Sequence, residues 1–186
     1  MSPGFVVVDT CSLINLALPM SHGGYDHERE PDPLRILLQT YDVTIPKQVE
    51  DELENIKQYN DLAGTAARNL LKLDSLYTVE DPLRFTSTPQ TLPNWQGLDE
   101  GEIAGILYSN TTDADYFLCD EFTNRGTIQH HLNTDAEWIC VPDVVLIDLV
   151  DNGYCTRKQA HRIITLIERE RSWRNQPYVQ QLKERH

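Results

Sequence analysis

Residues 5–16 read FVVVDTCSLINL. A short β-branched run that stops at a polar residue is the pattern of a buried strand, here residues 5–9. The following stretch, 10–18 (TCSLINLAL), places Leu13, Leu16 and Ala17 on one face of a helix. A strand that passes straight into a helix opens a βα unit, and the rest of the chain repeats the alternation. After a Gly-, Pro- and charge-rich loop at 19–31 comes a helix at 32–40, with Leu34, Leu37 and Leu38 inward. Strand 42–45 (DVTI) leads to Pro46, which opens the helix PKQVEDELENIKQY at the first-turn position where proline is tolerated. A helix at 61–73 and a strand at 76–80 follow. Residues 81–97, which include Pro82, Pro89 and Pro93, read as a surface excursion. Then come helix 98–109, strand 115–119, helix 121–132, strand 137–141, and helices 143–151 and 156–171. Asn152-Gly153 breaks the last pair and Thr156 is positioned as an N-cap. The expected fold class is α/β: a three-layer α/β/α domain over residues 1–171 with a mainly parallel central sheet of four to five strands, and a short polar helix or tail at 172–186.

The composition narrows the function classes. No apolar run approaches the roughly 18 to 20 residues that span a bilayer. The N-terminal stretch lacks a basic region ahead of its apolar run, so a cytoplasmic location is expected. The cysteines Cys11, Cys119, Cys140 and Cys155 form no C-x-x-C pair, which argues against a zinc knuckle and for reduced packing residues. Net charge is −13, from 29 acids against 5 lysines and 11 arginines. Such an acidic, lysine-poor chain resembles proteins of halophilic organisms. The charge repels nucleic acid in dilute buffer but is screened in concentrated salt, where the Debye length falls to about 3 Å.

In a parallel sheet, ligands bind beyond the carboxyl ends of the strands. Asp9 and Asp120 each end a strand there. Glu52 lies on the helix after the second strand. Asp99 and Glu102 stand three apart at the start of another helix and share a face. Carboxylates gathered in this way repel one another unless they are protonated or share a cation. A hard divalent ion, Mg2+ or Mn2+, takes oxygen ligands, polarises a phosphoryl oxygen and lowers the pKa of bound water. Taken singly, each acid also has a plainer role: Asp9 and Asp120 as helix caps, Glu52 on a solvated helix face, Asp99 and Glu102 complementing a helix dipole. Their common edge argues for the joint reading. No Gly-rich P-loop occurs, and Cys11 stands where a phosphatase with an aspartyl nucleophile carries its second acid.

These segments together resemble the PIN-domain nuclease family over most of residues 5–170. VVVDTCSLINL is similar to its first motif, with Asp9 as the first metal ligand and the hydroxyls of Thr10 and Ser12 near it. IPKQVEDEL resembles the second and selects Glu52, with Glu50 as the rival. LDEGEIAGILYS resembles the third, with Glu102 as the acid and Asp99 beside it. DADYFLCDEFTNRG resembles the fourth, with Asp120 as the match, Glu121 as a helper and Asp115 at the far end of its strand. VVLIDLVDNGYCTRKQA looks like the closing helix pair. The resemblance implies a metal-dependent hydrolase of single-stranded RNA in which Asp9, Glu102, Asp120 and Asp99 surround Mg2+ or Mn2+ and Glu52 ligates or orients water. Arg125, close to the fourth acid, is the expected phosphate contact. Arg68 with Lys72, and Arg157 with Lys158 and Arg162, are further basic groups; His130 and His131 read as surface or packing residues. Many relatives are toxins of toxin–antitoxin pairs, which implies an antitoxin protein and a homodimer as partners. A non-catalytic PIN-like module that binds nucleic acid or protein is the alternative.

Overall fold

A computed structural model describes residues 4–84, 91–132 and 135–186. Five strands form one sheet: β1 (Phe5–Val8), β2 (Asp42–Pro46), β3 (Thr78–Glu80), β4 (Tyr116–Leu118) and β5 (Glu137–Ile139). They lie in the order β3-β2-β1-β4-β5, with all pairs parallel. Helices cover both faces, giving the three-layer α/β/α arrangement expected from the alternation. They are α1 (Thr10–Ser21), α2 (Pro33–Thr40), α3 (Lys47–Ile56), α4 (Leu62–Leu71), α5 (Glu100–Thr111), α6 (Arg125–His131), α7 (Val141–Asp143), α8 (Leu149–Asp151), α9 (Arg157–Glu170) and α10 (Pro177–Arg185). A π-helical turn, Val144–Asp148, joins α7 to α8. Among the described residues, no helix is long and apolar enough to cross a membrane.

Alternation along the strands assigns the layers. Val7 pairs with Phe117 and Val8 with Leu118. Val7 and Phe117 pack with Ile106 of α5 and Ile128 of α6. Val8 and Leu118 face the other way, into a larger core with Leu13 and Leu16 of α1, Leu70 of α4 and Ile163 of α9. A strand buried on both faces has to be apolar throughout, which is why β1 is a run of valines. The closest helix-to-sheet approach uses Gly105 of α5: a Cβ there would sit 2.4 Å from the ring of Phe117. Gly105→Ala gains about 1 kcal/mol of helix propensity. Overpacking a fully buried ring costs about 1–3 kcal/mol, so the net expectation is destabilisation. Thermal unfolding of the variant should therefore begin several degrees lower, at about 2–4 °C per kcal/mol for a chain of this size; an unchanged or raised midpoint would contradict the packing described.

The structure departs from the sequence expectations in several places. α1 continues through Pro19 to Ser21 rather than ending at residue 18. Pro19 has no N–H to give the carbonyl of Asn15, but only two helical residues follow it and its ring is buried. The helix expected over 121–132 begins only at Arg125. Residues 172–186, expected as a short polar helix or tail, take the helical form but dock more firmly than their polarity suggests. α10 follows a 3-10 turn at Ser172–Asn175, and Trp173, Val179 and Leu182 join the main core. Within the excursion after β3, Pro82–Arg84 form a 3-10 turn and Trp95 stacks on His131 at 4.0 Å between centroids; residues 85–90, with Pro89, lie outside the described residues.

Candidate metal centre

Strand order decides where a ligand fits. The chain leaves β1 toward β2 and β3 on one side, then crosses to β4 and β5 on the other. Connections departing in opposite directions open a crevice beyond the carboxyl ends of β1 and β4. Asp9 directly follows β1, and its N–H donates to the carbonyl of Leu118 at the end of β4 (3.0 Å). Cys119 and Asp120 directly follow β4.

Asp9 is the N-cap of α1, and its Oδ1 accepts the N–H of Ser12 at 2.8 Å. It is 4% exposed. Its carboxylate, that of Glu102 and the Cys119 thiol bring ligand atoms within 4.8 Å of one another. Glu102 is delivered by the capping box of α5: its Oε2 accepts the Asp99 N–H (3.0 Å), while Asp99 Oδ1 accepts the Glu102 N–H (2.8 Å). Asp120 is held on both oxygens, Oδ1 by the Val141 N–H (2.8 Å) and Oδ2 by Asn15 Nδ2 (2.7 Å).

The electrostatics are those of a site short of positive charge. Burial, then the charge of Asp120, pushes Asp9 up to about 7 against a hydrogen bond from Ser12. Burial, joined by repulsion from Asp99, Asp9 and Glu121, raises Glu102 to about 8. Asp120 is raised to about 6, chiefly by burial, although Asn15, Val141 and Arg171 oppose the shift. Acids this reluctant to ionise, from separate segments, are the ones a divalent cation would relieve. Burial and the same two acids, Asp9 and Glu102, push the Cys119 thiol well up. It is therefore a neutral wall of the site, and a poor ligand to a hard ion.

Other expected residues are placed differently. Glu52 is raised by burial and faces Asp99 and Glu100; it accepts the hydroxyl hydrogen of Thr10, which adjoins Asp9. It stands at the margin of the cluster, close over Gly101, where a Cβ would lie 3.3 Å from Glu52 Oε2. Its rival Glu50 pairs with Lys47 on the surface. Asp99, expected as a ligand, is the exposed N-cap of α5, with Oδ1 engaged in capping. Thr10 and Ser12, whose hydroxyls the resemblance implies as substrate contacts beside Asp9, are both buried. They serve the acids instead, Thr10 through Glu52 and Ser12 through Asp9. Arg125, expected against a phosphate, lies over the rings of Trp138 (4.3 Å) and Tyr178 (4.9 Å). Asp115 caps the opposite end of the sheet, accepting the Phe5 N–H at 2.7 Å. Glu121 Oε1 accepts the Asn124 N–H at the start of α6 (2.7 Å). The cysteines are all free, but Cys11 is exposed rather than packed, and it lines a cleft of about 180 Å3 with Asn15, Asp120 and Arg171.

Two residues missed in the sequence complete the site. Asn15, 2% exposed on α1, donates to Asp120 and accepts from Arg171 Nε at 2.6 Å. Arg171 follows α9 and is the base whose charge Asp120 feels. An asparagine inside the apolar stretch SLINLAL is a poor helix former on a buried face, and that anomaly was its signal. Arg171 had none, because its partner lies 156 residues away. Asn15→Ala strips one acceptor bond from Asp120 and releases Arg171. Supporting residues of this kind are worth about 10–100-fold in metal affinity or activity. A Mn2+ titration followed by calorimetry should show weakening of that size; unaltered affinity would mean that the relay is only structural.

No protein-family model matches the chain, and no curated protein matches it. Fold and site by themselves define an α/β protein with a buried carboxylate cluster at the crevice of a parallel sheet.

Proposed function

We propose that the chain is a Mg2+- or Mn2+-dependent nuclease of the PIN-domain type that hydrolyses phosphodiester bonds of single-stranded RNA. The observation that carries this reading is the convergence of Asp9 and Glu102, with Asp120 repelling Asp9, at the crevice between β1 and β4. The donor set suits a hard ion: carboxylate oxygens raised by burial and by one another, with a protonated thiol as wall.

In this reading Asp9 and Glu102 ligate the ion and Asp120 completes its surroundings. The bound ion supplies a Lewis acid for the phosphoryl oxygen and an acidified water. Glu52, at the margin and raised by burial and neighbouring acids, orients or accepts a proton from the attacking water. Asn15 and Arg171 fix the rotamer of Asp120, and Ser12 that of Asp9.

The toxin role, with an antitoxin and a second copy of the chain as partners, rests on the resemblance in the four acidic segments; the cytoplasmic location rests on the lack of a long apolar run and of a basic region at the N-terminal stretch. The nuclease reading is tested by incubating single-stranded RNA with the protein in Mn2+ or Mg2+ and, in parallel, in EDTA. Cleavage should require the ion and disappear in Glu102→Gln. EDTA-resistant cleavage, or cleavage retained in that variant, would reject it.

A further inference from the structure

The carboxylate crevice leaves the bases of α9 without a role. Lys158, His161, Arg162 and Arg169 line one wall of a groove of about 620 Å3, and His22, just past α1, lies opposite. In a chain of net charge −13, no acidic side chain among the described residues lines this groove. Arg162 is tied to Glu30, but Lys158 and Arg169 are exposed and make no ion pair among the described residues. His22 accepts the Gly24 N–H at Nδ1 (3.1 Å), which leaves Nε2 to carry the ring proton as a donor.

We infer that this groove is the track for the phosphate backbone of a single-stranded RNA whose scissile bond lies at the carboxylates, an assignment that rests on the nuclease reading above. α9 connects the two regions. Its C-terminal end delivers Arg171 to Asn15, and through it to Asp120. From Lys158 to Arg171 the helix axis advances about 20 Å, the length of a few nucleotides. Cations spaced along one helix face, with the imidazole of His22 across the groove, suit a polymer that carries one charge in every unit. The occupant must also run toward Asp9 and Asp120. A phosphodiester has a reason to be there, whereas the side chains of an acidic peptide would meet only like charge. The overall negative charge does not forbid this. At 0.1 M salt the Debye length is about 10 Å, so the groove acts mainly through its own charges.

The test uses a fluorescently labelled single-stranded RNA, with binding read by anisotropy in EDTA at 0.1 M salt so that nothing is cleaved. The double variant Lys158→Glu/Arg169→Glu alters two exposed side chains, and unfolding curves check its fold. Expected is a loss of affinity of at least about ten-fold, with the slope of log K against log salt shallower by about 1.4, as two lost phosphate contacts require on a single strand. In Mn2+, kcat/KM of the double variant should fall about ten-fold further on RNA than on bis(4-nitrophenyl) phosphate, a diester too short to reach the track. Unaltered RNA affinity and salt slope overturn the track. So does a polyglutamate peptide that competes as well as an RNA of equal length, which would make the groove a peptide site. Failure of the nuclease reading shows separately, as hydrolysis of the small diester that survives Asp9→Asn.

Discussion

Asp9→Asn should lower Mn2+-dependent RNA cleavage by on the order of 10³-fold and, in the absence of metal at pH 8, make the protein more stable. The two effects have one origin. Asp9 is 4% exposed, and burial together with Asp120 pushes it up to about 7. At pH 8 the folded chain must ionise it against both. A tenfold change in a proton-binding equilibrium corresponds to about 1.4 kcal/mol, so the ionised Asp9 carries a penalty of roughly 4 kcal/mol relative to the unfolded chain. Asparagine removes the charge. It also keeps the cap, because Asn and Asp serve equally well at a helix N-cap, and the oxygen that accepts the Ser12 N–H is retained. A ligand to the ion is lost, and with it several kcal/mol of transition-state stabilisation, at a factor of ten per 1.4 kcal/mol. Unfolding midpoints in EDTA should therefore be several degrees higher in the variant at pH 8, the gap should narrow at pH 5, where Asp9 in the native protein holds its proton, and it should close only below about pH 4, where the unfolded chain holds that proton too. Retained cleavage would remove Asp9 from the chemistry. A lower midpoint at pH 8 would mean that its charge is not uncompensated.

The same logic explains what the sequence could disclose. Strand positions were legible because a parallel sheet buried on both faces has to be written as short apolar runs, as in Val6–Val8 and Phe117–Leu118. Acids that end those runs, Asp9 and Asp120, were legible because topology alone sends them to the crevice. Glu102 and Asp99 share a helix face, yet Glu102 turns toward Asp9 while Asp99 is the cap that aims it. Spacing gives a shared helix face; it does not say which of two carboxylates turns inward. Arg125 failed for a related reason. Its position at the start of α6 is close to Asp120 in sequence, yet the aromatic faces of Trp138 and Tyr178 capture its guanidinium. Trp138 lies on β5 and Tyr178 on α10, so no local pattern could announce the stack. Residues 172–186 look polar because, among the side chains described there, only Trp173, Val179 and Leu182 are fully buried in the core, with Tyr178 packed half-buried beside them. Three apolar anchors in fifteen positions suffice for docking on an existing hydrophobic surface, but they do not make a periodic signal.

Without metal, the protein should lose stability as pH rises from about 4 to about 8, and a divalent cation should offset part of that loss. Unfolded Asp and Glu titrate near 4. In the folded chain Asp120 is raised to about 6, Asp9 to about 7 and Glu102 to about 8. Through that window the native state holds more protons than the unfolded one, so the slope of unfolding free energy against pH is negative. Below about pH 4 the three contribute nothing adverse; above about 8 the full penalty is present. General repulsion from a net charge of −13 would tilt stability in the same direction. Salt separates the two, because at 1 M the Debye length is about 3 Å, which silences exposed charges while leaving acids buried side by side in conflict. Melting curves in EDTA and 1 M KCl should still fall between pH 5 and 8, and the fall should shrink in Asp9→Asn. Adding Mn2+ at one hundred times its dissociation constant should restore about 2.7 kcal/mol at pH 8. It should restore far less at pH 5, where the ion must compete with protons for the same oxygens. A flat profile in high salt would mean that the carboxylates ionise freely, and a cluster that ionises freely has no need of a cation.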